Sequence, residues 1–247
     1  MENLRVSTIT SILHISDELN LKDIYEGVPI TDYIPFIEYG LDNPPRGFSK
    51  KMLTKKRKKK KKKMFHNQAT LHVSYENKLM NVKLFNNGKI QITGLKGETQ
   101  APKLVKELLA YFKSLDLIED IQLVGYKIVL INSDFSMGYE IDREKLHRDI
   151  IHNGLYSSYE PCIYPGVNIK YYVNENNIDG ICNCCAICNG KGSGLLDGDC
   201  KKVTIAVFKS GKIIITGGQN TDQIEESYHF IYNFIDSNKE KYQIKEY

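Results

Sequence analysis

The sequence predicts an α+β protein built twice over, each half an antiparallel sheet covered on one face by helices. Three observations predict this. A ten-residue block recurs: Phe85 to Gly94 reads FNNGKIQITG and Phe208 to Gly217 reads FKSGKIIITG, with seven of ten positions identical. Each block reads strand, glycine turn, strand, and each is followed by apolar residues at helical spacing. The order strand, short helix, strands, long helix then occurs twice along the 247 residues, which marks an internal repeat.

The elements follow in order. Leu4 to Thr10 alternates as a strand, and Leu19 to Tyr25 reads as a short helix. Tyr33 to Tyr39 is strand-like, and Ala69 to Tyr75 reads as an extra strand turning at Glu76–Lys78. After the first block, Thr99 is the expected helix cap, with Pro102 tolerated in the opening turn. Leu104, Val105, Leu108, Leu109, Phe112 and Leu115 form the apolar stripe of that helix. The halves join near Asp116–Asp120, giving repeats over 1–118 and 119–247. The second repeat runs through a strand at Tyr126–Phe135, a short helix at Ile141–Ile150 and a strand at Tyr164–Val173. Its block is followed by Thr221 as the expected cap and by Ile224, Tyr228, Ile231, Phe234 and Ile235 as the helical stripe.

Burial and parity then assign faces. A sheet covered on one side leaves its other side free. Alternation points Ile90, Ile92, Ile213 and Ile215 at the helices. It points Phe85, Gln91, Thr93, Phe208, Ile214 and Thr216 at the open face. Aromatic residues on an open sheet face indicate a binding surface, because soluble monomers seldom expose large apolar patches.

The net charge is +4, but Lys55, Lys56, Arg57, Lys58, Lys59, Lys60, Lys61, Lys62 and Lys63 form an unbroken basic run. Without those nine charges the chain carries −5. Such a run is solvated when free and is suited to DNA phosphates, to nuclear import, or to no specific task. Apolar runs such as LVGYKIVLI are too short to span a bilayer. The opening MENLRVSTITSIL lacks the pattern of a secretory signal. An intracellular protein is expected, in the nucleus or at a cytoplasmic viral replication site, with its six cysteines reduced or metal-bound.

Tyr156 to Val167 reads YSSYEPCIYPGV. Together with FKSGKIIITG, the twofold repeat, and VSTIT followed by LNLKDI, it resembles the core of TATA-box-binding proteins. The resemblance covers nearly the whole chain apart from two insertions, and is strongest in the second repeat. The chain is similar to the versions carried by large DNA viruses of eukaryotes. The resemblance implies a saddle: a curved antiparallel sheet, helices on its convex side, and a concave face seated on the minor groove. That family kinks DNA with apolar wedges between base steps. Matched by motif, the wedges fall on Tyr33, Phe85, Tyr164 and Phe208, where the family has Phe at all four.

The groove floor departs from the family. Its central Asn pair matches Leu4 and Leu130, and nearby Val positions match Val6 and Asn132. Gln91 replaces another Val, Ile214 is conservative, and Thr93 and Thr216 match the family's groove-facing Thr pair. An AT preference is expected to survive with a changed target sequence, since the minor groove mainly separates A·T from G·C. In the family the SYEPEL segment docks the general transcription factor B, which recruits RNA polymerase. Glu160 matches its first acid, while Cys162 and Ile163 replace the second acid and the Leu.

The implied function is a transcription initiation factor that binds and bends AT-rich double-stranded promoter DNA and recruits a factor B-like protein and polymerase. The alternatives are a protein-interaction scaffold and a nonspecific architectural bender. No membrane and no small-molecule substrate are implied, and no nucleophile-and-base pattern suggests catalysis.

Both insertions are expected between the wedge-bearing strand and the next strand of each repeat, the first over about 40–78 and the second over about 174–201. The second holds Cys182, Cys184, Cys185, Cys188 and Cys200. Cys185 and Cys188 have the C-x2-C spacing of zinc sites, and Cys182, Cys184 and Cys200 are candidates to complete one. Structural zinc, an unligated loop and redox pairing remain the alternatives.

Overall fold

A computed structural model describes residues 4–40, 42–49, 66–175, 179–184, 188–195 and 199–244. The strands of the first repeat are β1 (Arg5–Ile15), β2 (Phe36–Tyr39), β3 (Arg46–Gly47), β4 (Gln68–Tyr75), β5 (Lys78–Phe85) and β6 (Lys89–Leu95). Its described helices are α1 (Leu21–Gly27) and α2 (Gln100–Ser114). The second repeat supplies β7 (Leu123–Ser136), α3 (Arg143–His152), β8 (Tyr156–Ser158), β9 (Val167–Val173), β10 (Lys201–Val207), β11 (Lys212–Gly218), α4 (Thr221–Asp236) and α5 (Lys239–Tyr242). None of the described helices is long and apolar enough to cross a membrane.

The chain divides into two compact units, Ile9–Ile128 and Met1–Thr8 with Val129–Tyr247. The order in the first is β3-β2-β4-β5-β6-β1, followed by the start of β7. In the second it is the start of β1, the rest of β7, then β11-β10-β9-β8. The strand pairs whose register is resolved are all antiparallel.

Alternation drives the layering. Ile90, Ile92, Ile213 and Ile215 are fully buried, and each such side chain contributes about 1.5–3 kcal/mol by leaving water. Buried Leu104, Val105, Leu108 and Phe112 line α2, and buried Ile224, Tyr228, Ile231 and Ile235 line α4. The Phe135 ring of β7 meets Tyr228 edge to face at 4.7 Å, which fixes the covered side of that sheet.

The two blocks share a device that the sequence motif conceals. At Gly94 and Gly217 the backbone turns to φ 118° and 111°, and the pairing of β6 with β1 and of β11 with β7 slips by one residue there. A Cβ at Gly217 would sit 3.1 Å from the Lys202 carbonyl oxygen, so the bulge needs glycine.

The helix caps differ from the sequence expectation. The Thr99 side chain caps nothing, and Asn220, not Thr221, accepts the Gln223 N–H at 2.9 Å. The entry to each long helix is held by a glutamine. Gln100 Oε1 accepts from the Lys96 and Gly97 amides, and Gln223 Oε1 accepts from Gln219. Gln100 and Gln223 stand at the same distance past the two bulge glycines.

The first insertion is also placed differently. Leu84 pairs with Ala69, and Val207 pairs with Val167. β4 is therefore the counterpart of β9, an ordinary repeat strand and not an extra one. The inserted residues of the first repeat precede β4, whereas those of the second follow β9. Where the second repeat carries its cysteine loop, the first has only the tight turn at Glu76 and Asn77, with φ 47° and 59°.

Candidate nucleic-acid interface

On β7, Leu130, Asn132 and Asp134 alternate with buried Ile131, Ser133 and Phe135, so they lie on the face away from α4. On β11, Ile214 and Thr216 alternate with buried Ile213 and Ile215. Thr216 Oγ1 donates to Asn132 Oδ1, as the facing register of those residues requires. Beside them, Lys170 Nζ donates to Asn168 Oδ1 and Thr204 Oγ1, both at 3.0 Å. Burial and then the Lys202 ammonium hold the Lys170 pKa below the usual lysine value.

Asp134 is the acidic member of this face. The Ser7 hydroxyl donates to it, Arg5 Nη2 reaches its carboxylate at 3.0 and 3.1 Å, and Lys212 lies at 3.8 Å. Burial alone would raise its pKa, but the bonds from Ser7 and Arg5 outweigh that and hold it below the usual carboxylate range. Leu4 and Val6 are half-buried, and it is their neighbours Arg5 and Ser7 that reach Asp134.

At the rim of the same unit, the Tyr164 and Phe208 rings meet edge to face at 5.8 Å, and Tyr164 is 41% exposed. Gly166 makes room for both, since a Cβ there would lie 3.0 Å from one ring and 3.2 Å from the other.

In the first-repeat unit, Thr10 and Thr93 face each other with their hydroxyls 3.3 Å apart. Gln91 lies beside them on the same side of β6, opposite the buried Ile90 and Ile92. Phe85 ends β5 half-buried, with the Lys89 ammonium over its ring at 5.5 Å.

Two sequence assignments are corrected here. Thr93 and Thr216 hold one repeat position and pair with Thr10 and Asn132. Two residues earlier, the counterpart of Leu130 is therefore Thr8, not Leu4. Tyr33 does not join the aromatic rim. Its ring packs edge to face on Tyr111 of α2 at 5.1 Å. Burial, with Glu107 and Tyr111 nearby, pushes its pKa up to about 12. The same register that matches Ala69 to Val167 matches His66, which is exposed, to Tyr164.

The sequence reading also missed a set of lysines. Lys83 and Lys89 in the one unit, and Lys202 and Lys212 with Lys170 in the other, stand at positions that alternate with core residues. Their signal was the strand parity already used for the isoleucines.

Glu160, Cys162 and Ile163 sit on an exposed turn in which the amides of Ile163 and Tyr164 both donate to the Glu160 carbonyl at 2.9 Å. Ile163 is 79% exposed. Arg143 of α3 braces the turn, stacking over Tyr159 at 5.2 Å and donating to the Pro165 carbonyl.

The thiols of Cys182, Cys184, Cys188 and Cys200 lie within 4.8 Å of one another, an arrangement compatible with a metal ion. Cys185 and the basic run Lys55–Lys63 lie outside the described residues.

Residues 125–237 match the family model described as transcription factor TFIID (or TATA-binding protein, TBP). Over 98% of its length the chain is 27% identical to a TATA-box-binding protein-like protein of Acanthamoeba polyphaga mimivirus, covering 67% of that protein. A TATA-box-binding protein of Dictyostelium discoideum is 24% identical over 63% of the chain and 60% of its own length. The fold matches that of Methanococcus jannaschii TBP with a TM-score of 0.54 and 16% identity, over 96% of this chain and 99% of that one.

Proposed function

Because the chain belongs to the TATA-binding-protein family, we propose that it binds AT-rich double-stranded DNA in the minor groove, bends it and recruits transcription machinery. The observation that carries this reading is the Tyr164–Phe208 pair at the rim of the sheet face that α4 does not cover. Two adjoining rings, one of them 41% exposed, cost free energy in water. They find a use as a wedge between base pairs, which unstacks one step and turns the duplex. Phe85 is the wedge of the other unit.

The floor chemistry supports an AT preference. Thr10, Thr93, Thr204 and Thr216 offer short hydroxyls that can donate to the acceptors of A·T pairs. Leu130 and Ile214 would lie against G·C pairs without a partner for the guanine amino group. Lys83, Lys89, Lys170, Lys202 and Lys212 supply the positive charge that phosphates require. The exposed Glu160–Ile163 turn is the surface we assign to a factor B-like protein that brings RNA polymerase. Such a factor works inside the cell, where the promoter is.

The test is fluorescence-detected bending of doubly labelled duplexes. AT-rich duplexes are expected to bend, GC-rich ones not, and Phe85→Ala with Phe208→Ala to abolish bending. Equal bending of both duplexes would instead identify a nonspecific architectural protein. Absence of binding at low salt would identify a protein scaffold.

A further inference from the structure

We propose that Cys182, Cys184, Cys188 and Cys200 bind one zinc ion as a tetrathiolate that sets the fold of the β9–β10 insertion. The distances decide among the chemistries open to four close thiols. A disulfide needs sulfurs about 2.05 Å apart, whereas Cys184–Cys200 and Cys200–Cys182 stand at 3.4 and 3.6 Å. Nor do the sulfurs sort into two pairs. Cys200 is close to two partners at once, and all four lie within 4.8 Å of one another. A tetrahedral ion with Zn–S bonds of about 2.3 Å has sulfur–sulfur edges of roughly 3.8 Å. The cluster is the size of that shell.

The surroundings suit thiolates. The Gly190 amide donates to Cys188 Sγ at 3.3 Å, and Asn174 Nδ2 donates to Cys200 Sγ at 3.4 Å. Donors aimed at sulfur offset the negative charge that four thiolates leave on the site, and they fix the ligands' orientation. An all-sulfur donor set favours zinc over magnesium or calcium. Binding one Zn2+ releases the four thiol protons to solvent and leaves a net charge of −2 on the site.

The loop is built to present this shell. Cys200 is fully buried and directly precedes β10, so one ligand comes from the sheet itself. The Gly192 amide donates to the Cys200 carbonyl at 3.1 Å, and the Lys202 amide to the Gly190 carbonyl at 2.9 Å. A Cβ at Gly192 would lie 2.4 Å from the Asp199 carbonyl oxygen, so two backbone segments cross there. Gln223 of α4 donates to the Ser193 carbonyl at 2.7 Å and straps the loop to the helix layer. A segment this rich in Gly and Asn has little apolar surface to bury, and a metal supplies the cross-link that its side chains cannot.

The test uses the full chain, purified without chelator. Elemental analysis and native mass spectrometry are expected to find one zinc per chain. Cys184→Ser and Cys200→Ser should retain less than about a tenth of it, while Cys162→Ser and Cys185→Ser keep it. Should the serine variants fail to fold, thiol titration of the wild-type protein decides. Two of the six cysteines are expected to react freely and four only after chelation. Replacement by cobalt should give the intense visible bands of a tetrahedral thiolate site. Iron in place of zinc, six freely reactive thiols, or zinc lost with Cys185→Ser but kept with Cys184→Ser each overturns the assignment.

Discussion

Tyr33 and Phe208 look alike in the sequence, each an aromatic residue beside a strand, yet the fold surrounds them differently. Phe208 meets Tyr164 at the rim of an open face, whereas Tyr33 stands against Tyr111 of α2. The Tyr33 hydroxyl is buried and finds no hydrogen-bond partner among the described residues. Leaving such a donor unsatisfied costs about 1–3 kcal/mol. Tyr33→Phe is therefore expected to raise stability by roughly 1 kcal/mol in denaturant titration and to leave DNA bending unchanged. Lost bending would return Tyr33 to the wedge set. Phe208→Ala should weaken binding to AT-rich duplexes about 10–100-fold, the size of one base–ring stack removed. That comparison needs matched stability, which the half-buried position of Phe208 permits.

Single elements show where sequence reasoning works and where it stops. The strands and long helices were legible because each has one buried face, and burial imposes a period on the chain. The helix caps were not: α4 is capped by Asn220, one residue before the expected Thr221, and in both long helices a first-turn glutamine also reaches back to hold the entry. The place of the first insertion was illegible for a different reason. β4 was visible as a strand, but its link to β5 is a two-residue turn and the corresponding link in the second repeat is the long cysteine loop. Only strand pairing reveals them as counterparts. The C-x2-C spacing pointed to Cys188 with Cys185, which lies outside the described residues, and gave no signal for Cys184, which the described cluster contains. The joint between α4 and β9 carries a prediction of its own. The Tyr171 hydroxyl donates to Glu226 Oε1 at 2.9 Å. Burial raises the Glu226 pKa above 4.5, and the bond from Tyr171 only partly opposes it. The folded state thus holds the proton more tightly than the unfolded one. This contribution to stability is complete below the unfolded pKa and fades as pH rises through the folded value. Glu226→Gln, which can still accept from Tyr171, is expected to be at least as stable as wild type near neutral pH. It should lose that advantage at about pH 4, as urea midpoints at the two pH values will show. A variant less stable at neutral pH would mean that the carboxylate's bond outweighs its burial.

Charge is distributed unevenly over the whole molecule. The net charge of +4 conceals a body of −5 and nine positive charges in the run Lys55–Lys63. A body of that sign is repelled by DNA at long range, so association relies on local positive charge. In the proposed complex the lysines of the open faces would supply some of it and the basic run the rest. Its attachment is informative. The run joins β3 to β4, and β4 follows directly from His66 and Asn67. His66 is the register counterpart of Tyr164, so in sequence the run ends just before the position where the other repeat carries its proposed wedge. In the second repeat the corresponding connection is the Glu160–Ile163 turn, assigned above to a protein partner. In the proposed complex one loop position would then serve two partners in the two repeats: phosphates in the first, a transcription protein in the second. The salt dependence of binding tests this. Each phosphate neutralised steepens the fall of log K with log salt by about 0.9. Deleting Lys55–Lys63 should flatten the slope by roughly 2–5 units while the bend angle and the AT preference persist, since those belong to the rings and the floor. An unchanged slope would make the run a targeting signal or a passive loop, and would leave the face lysines as the sole electrostatic contact.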